Sequence, residues 1–228
     1  MTSGTTGLIH IAGITDFDEA KMLIDCGAEY LGFPLVLGYH REDVSIDEAA
    51  TIVARLRGRA TFFLITYLST APTIIDLCDR LNVSTVQLHA PTDVAELKNL
   101  RETWPDLRII KSLVVRGDNL SALIEEVSCF APWVDAFITD TFDPATGATG
   151  ATGKTHDWAV SQRLVLLSPK PVILAGGLNT GNVRAAIATV RPAGVDVHTG
   201  IEDRDGRKTL DLTKRFIAEA KAGFAEAK

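Results

Sequence analysis

The chain has 228 residues, 46% of them hydrophobic and 23% charged, with a net charge of −6. This is globular composition, and it excludes a disordered chain, a collagen and a long coiled coil. The acidic balance leaves no basic surplus to neutralise nucleic-acid phosphates, so no nucleic-acid partner is expected.

In chain order, a short apolar run at 8–12 predicts a strand, and the amphipathic stretch 16–26 predicts a helix capped by Thr15 ahead of Asp16, Asp18 and Glu19. A second strand at 29–33 precedes a helix at 46–57, where Ser45 and Glu48 have the spacing of a capping box. The alternation continues with strands at 61–66, 84–89, 108–113, 134–140, 171–175 and 194–197. Helical patterns at 72–81, 92–103, 118–130, 157–167, 181–190 and 210–225 lie between and after them. Strands separated by helices must run parallel. Eight such units predict one (β/α)8 barrel domain over residues 1–228, with its chemistry at the C-terminal ends of the strands. A doubly wound open sheet is the alternative, but no glycine fingerprint follows the first strand.

Cys26, Cys78 and Cys129 are dispersed and show no metal-ligand spacing, which predicts free thiols in a reducing compartment. Residues 1–7 offer no basic region for a signal peptide. No apolar run reaches the ~18–20 residues that span a bilayer. A cytoplasmic protein without a membrane partner is expected. No H-E-x-x-H and no ladder of Asp and Asn appears, so neither a metal nor a cofactor is called for.

Two glycine turns stand where such barrels hold phosphate. Gly176 and Gly177 follow strand seven, and Thr199 and Gly200 follow strand eight. Glycine lets main-chain N–H groups approach an oxyanion without a Cβ in the way. The loop 141–155 carries Gly147, Gly150 and Gly153 before Lys154 and Thr155, but Ala148 stands where a P-loop needs glycine. It is expected to be a lid that closes over substrate, the alternative being a merely disordered loop, with Gly153 contributing to the phosphate site.

Taken together, these motifs resemble the phosphoribosylanthranilate isomerase family. The resemblance runs through His10-Ile11-Ala12-Gly13-Ile14-Thr15, Leu31-Gly32-Phe33, Val86-Gln87-Leu88-His89, Ile110-Lys111 and Thr139-Asp140-Thr141. It continues through residues 150–158, Ala175-Gly176-Gly177-Leu178, Asn182-Val183, Gly194-Val195-Asp196-Val197 and Gly200-Ile201-Glu202. It implies a (β/α)8 barrel catalysing an Amadori rearrangement of a phosphoribosyl amine to a 1-amino-1-deoxyribulose phosphate. The family's general acid falls on Asp140. Its general base, a cysteine, falls on Ala12, and its lysine two residues earlier falls on His10.

Alanine cannot remove a proton, so the base must lie elsewhere. Residues two apart on a strand share a face, which puts His10 on the side of Ala12, ~7 Å deeper. His10 is one candidate, the alternative being a buried core residue. His89, inward with Gln87 on strand four, is a second, and Asp140 acting twice is a third. Arg41 is the counterpart of the family's substrate-carboxylate arginine. Gln87 is expected to bind substrate. Lys111 is expected to anchor an anion or to pair with Asp140, and His198 to contact the phosphate or a sugar hydroxyl. The expected partner is a small phosphorylated sugar, with the oligomeric state left open. Three functions remain: this isomerisation, with a changed base and a changed or unchanged substrate; a lyase or epimerase of another sugar phosphate; and a non-catalytic phosphate binder.

Overall fold

The computed structural model describes residues 7–38, 42–117, 119–141 and 155–227. Its strands are β1 (Leu8–Ala12), β2 (Tyr30–Pro34), β3 (Thr61–Thr66), β4 (Thr85–Leu88), β5 (Arg108–Val115), β6 (Ala136–Thr141), β7 (Val172–Leu174) and β8 (Gly194–Val197). The helices that follow them are α1 (Phe17–Asp25), α2 (Ile46–Arg55), α3 (Ala71–Leu81), α4 (Val94–Thr103), α5 (Leu120–Phe130), α6 (Trp158–Leu167), α7 (Val183–Val190) and α8 (Leu210–Glu226). Each strand pairs in parallel with its neighbours in sequence, and β8 closes onto β1. The expected (β/α)8 barrel is therefore the fold.

Side chains alternate along each strand between the helix layer and the barrel interior. Ile9, Ile11, Leu31, Phe33, Phe62, Leu64, Val86, Leu88, Ile109 and Leu113 pack outward with helix residues such as Leu23 and Ile52. Leu8, Phe63, Ile110, Ile138 and Ile173 pack together inside the barrel. Further along the same inward rows, the residues become polar: His10, Gln87, Ser112, Asp140 and Asp196. Because both faces are covered, the strands read as almost continuous apolar runs. Helices then sit where their own apolar stripes can cover the outer face.

Local signals fix the helix starts. Ser45 caps α2, and its capping box with Glu48 forms as the spacing predicts. At α1 the cap is Asp16 rather than Thr15. The extended backbone of Asp16 lets its carboxylate accept the Glu19 N–H at 2.8 Å. Thr15 instead donates its own N–H to the Glu19 carboxylate at 3.0 Å.

That glutamate does more than serve a helix end. Glu19 is buried, and its second carboxylate oxygen accepts the backbone N–H of Lys208 at 3.0 Å. Lys208 is buried too, and its ammonium donates to the Gly13 carbonyl at 2.5 Å and to Glu202 at 3.0 Å. The loop after β1 and the segment after β8 are thus joined by a buried charge network. Removing one member of such a network leaves its partners desolvated and unpaired. Glu19→Ala is expected to lower the unfolding free energy by about 3 kcal/mol, whereas Ser45→Ala, at an exposed cap, costs about 1 kcal/mol. Urea unfolding of both variants measures the contrast, and equal losses would contradict it.

Candidate active site

The inward rows converge at the C-terminal end of the barrel, where three histidines each meet a carboxylate. His10 on β1 stands opposite Asp196 on β8, and its Nδ1 lies 2.6 Å from an Asp196 carboxylate oxygen. The ring stacks on Phe63 at 4.4 Å, and its Nε2 is buried without a hydrogen-bond partner among the described residues. His89 follows β4, and its Nε2 lies 2.5 Å from Asp140 on β6. Tyr67 stacks on the His89 ring at 4.8 Å, and the His89 Nδ1 is likewise buried and without a partner among the described residues. The other Asp140 oxygen accepts the Thr141 N–H at 2.7 Å. A carboxylate has about four lone-pair sites, so two remain for a substrate.

The third histidine, His198, lies beyond β8. Its Nε2 is 3.5 Å from Glu202, and its side chain is 25% exposed. Burial, reinforced by Lys208 and His10, holds its pKa well below the ordinary value and so keeps the imidazole neutral. Burial also pushes the Glu202 carboxyl upward, against the opposing pull of Lys208.

Two glycine-bearing turns complete the mouth. Gly176 and Gly177 take left-handed φ values of +99° and +62° after β7. Gly200 sits in a short 3₁₀ turn, Thr199–Ile201, where a Cβ would lie 1.8 Å from the Leu178 carbonyl oxygen. The two loops therefore touch backbone to backbone. At the start of α7, side chains take up nearby N–H groups: Asn182 accepts from Asn179, and Asn179 accepts from Gly181, each at 2.8 Å. Among the described residues, no side-chain oxygen accepts from the N–H of Gly177 or Gly200. These amides are left for an anion.

Lys111 requires a correction. It shares the outward row of Ile109 and Leu113, is buried against α5, and does not meet Asp140. Its ammonium donates to the carbonyls of Ala90 at 2.8 Å and Leu88 at 3.3 Å, and it lies 5.9 Å from the centre of the Phe130 ring. Those two carbonyls flank His89, so Lys111 supports the β4 end from behind. Gln87 faces inward as expected, and donates to Ser112 at 3.3 Å. Thr199 is exposed at the start of the 3₁₀ turn. Arg41 and Gly153 lie outside the described residues, as do residues 142–154 of the expected lid.

Several partners escape sequence reasoning. Asp196 lies within a quoted motif, yet only the β1–β8 register reveals its bond to His10. His156 bridges Thr141 at 3.0 Å and Ser161 at 2.6 Å, and burial lowers its pKa.

The model of the N-(5′-phosphoribosyl)anthranilate (PRA) isomerase family matches residues 9–219. The chain belongs to that family. N-(5′-phosphoribosyl)anthranilate isomerase 2 of Methanosarcina mazei is 38% identical over 219 residues, covering 95% of each chain. The crystal structure of phosphoribosyl anthranilate isomerase from Thermotoga maritima matches with a TM-score of 0.79 at 27% identity, covering 94% of this chain and 98% of that one. A further PRA isomerase structure holds reduced 1-(o-carboxyphenylamino)-1-deoxyribulose 5-phosphate, with a TM-score of 0.77, 26% identity and the same coverage. Membership in the PRA isomerase family agrees with the resemblance carried by the motifs. Among the described residues, no helix is long and apolar enough to cross a membrane.

Burial lowers the Lys111 pKa to about 8, with Glu126 opposing the shift. The unfolded chain binds this proton up to about pH 10.4, so between pH 8 and 10 the unfolded state holds more protons. Stability from this group therefore rises with pH. Relative to Lys111→Met, the wild type is expected to gain up to about 3 kcal/mol across that window. Urea midpoints at pH 7.5 and 10 measure it, and a pH-independent difference would contradict the assignment.

Proposed function

We propose that this protein isomerises N-(5′-phosphoribosyl)anthranilate to 1-(o-carboxyphenylamino)-1-deoxyribulose 5-phosphate. The observation that carries this reading is the pairing of Asp140 with His89 at the same barrel end as the unclaimed Gly177 and Gly200 amides. Family membership supports it, as does the ribulose-phosphate analogue bound by a relative. The lyase, epimerase and binder readings have no comparable support.

In this scheme the phosphate seats on the main-chain amides of the two glycine turns. Amide dipoles bind an anion without requiring a cation beside it. Asp140, in its protonated form, gives its proton to the ring oxygen as the bond from that oxygen to C1 breaks. The nitrogen lone pair forms the C1=N iminium. A base then takes the C2 proton, the C2–H electron pair forms C1=C2, and the nitrogen recovers its lone pair. Proton gain at C1 and loss from the C2 hydroxyl give the ketone. Atoms and electrons balance within the substrate, and both side chains return to their starting forms. His89 holds the Asp140 carboxyl in place for the first step.

Purified protein is expected to turn over phosphoribosylanthranilate, followed by loss of anthranilate fluorescence. Asp140→Asn is expected to lower kcat by about 10²–10⁴-fold. Gly200→Ala, which drives a Cβ into the Leu178 carbonyl, is expected to raise KM through the phosphate. No turnover by the wild type, or an unchanged rate for Asp140→Asn, would reject the reading.

A further inference from the structure

We propose that His198 is the base that removes the C2 proton. The inference rests on the isomerase reading and assigns the one role in it that Asp140 leaves unfilled.

Register provides the first argument. β1 and β8 pair with His10 opposite Asp196 and Ile11 opposite Val197. β8 ends at Val197, and His198 is the first residue past it, as Ala12 is the residue after Ile11 on β1. His198 thus leaves the strand on the edge of the barrel next to residue 12, which has only a methyl group.

Contact provides the second. A Cβ on Gly13 would lie 2.0 Å from the His198 Nε2 and 2.4 Å from its Cδ2. The ring rests on the backbone of the residue directly after Ala12, on the β1 side of the mouth. Asp140 stands on β6, separated from β8 by one strand. Proton donation to the ring oxygen and proton removal from C2 act at two different atoms, so two separate groups suit the chemistry.

Access separates His198 from the other two histidines. His10 and His89 each spend one ring nitrogen on a carboxylate, and the other is sealed in the interior. Neither has a nitrogen open to a substrate. The side chain of His198 is 25% exposed, and among the described residues no hydrogen bond occupies its Nδ1.

Burial, reinforced by Lys208 and His10, leaves the ring unprotonated before reaction while lowering its basicity. Glu202, 3.5 Å from Nε2, offsets the positive charge once the ring accepts the proton. Asp196 on β8, Glu19 on α1 and Asp43 also act at this corner. The proton leaves C2 for a ring nitrogen and passes on to water or back to C1.

The test compares His198→Ala and His198→Gln with the wild type on phosphoribosylanthranilate. Both variants are expected to lose about 10²–10⁴-fold in kcat with smaller changes in KM. Added imidazole is expected to restore part of the rate of the alanine variant, which leaves room for it, and no rate to Asp140→Asn. A thermal melt checks that each variant is folded, and the size-matched glutamine variant decides if the alanine variant is not. A kcat within about threefold of the wild type in a folded variant would overturn the role of His198 and leave the isomerase reading intact. A wild type without turnover overturns the isomerase reading and this role with it.

Discussion

The mouth of this barrel depends on a lysine that never meets water. The Lys208 side chain is 0% exposed, and a buried ammonium is tolerable only where its charge is paired and its protons are placed. Glu202 and the Gly13 carbonyl meet that demand, and Glu19 accepts the backbone N–H of the same residue. Because those partners come from α1, from the loop after β1 and from the segment after β8, Lys208 ties three elements together through its ammonium and its backbone N–H. The 3₁₀ turn bearing Gly200 and the imidazole of His198 are held in place by the same network.

The charges at the mouth are divided by task. Two histidine–carboxylate pairs seal their second ring nitrogens inside the protein. A third histidine stays partly open. Among the described residues, Lys111 and Lys208 are committed to carbonyls and to Glu202 rather than offered to a ligand. In the proposed function, recognition of a phosphate falls to amide dipoles at two glycine turns. Such dipoles are fixed by the backbone and need no side chain to be ordered on binding.

The architecture was legible because alternating strand and helix patterns recur eight times, and parallel strands force helices between them. Facing was harder to read. On β5, Ile109, Lys111 and Leu113 form one row while Ile110 and Ser112 form the other. Both rows are buried, so alternation gave no polar side to orient the strand. The sequence therefore allows Lys111 to anchor an anion or to pair with Asp140, whereas it faces α5. The glycine turns and Asp140 were legible because their residue types carry chemistry at predictable barrel positions. The partners of His10 and Lys208 were not, since His10 and Asp196 are 186 residues apart and Glu19 and Lys208 are 189 apart. Glu19 resembled an ordinary first-turn acid, and nothing in its neighbourhood signalled a distant lysine. The cap at α1 falls on Asp16 rather than Thr15 because the Asp16 carboxylate accepts the Glu19 N–H while the Glu19 carboxylate takes the Thr15 N–H.

The central claim is that main-chain amides of the two glycine turns hold a phosphate ester. It is tested most directly by titrating ¹⁵N-labelled protein with ribose 5-phosphate and, separately, with ribose, while following amide resonances. The account predicts saturable shifts at Gly177 and Gly200 with the phosphorylated sugar and none with ribose. Unmoved Gly177 and Gly200 resonances, with saturable shifts elsewhere on the protein, would contradict it.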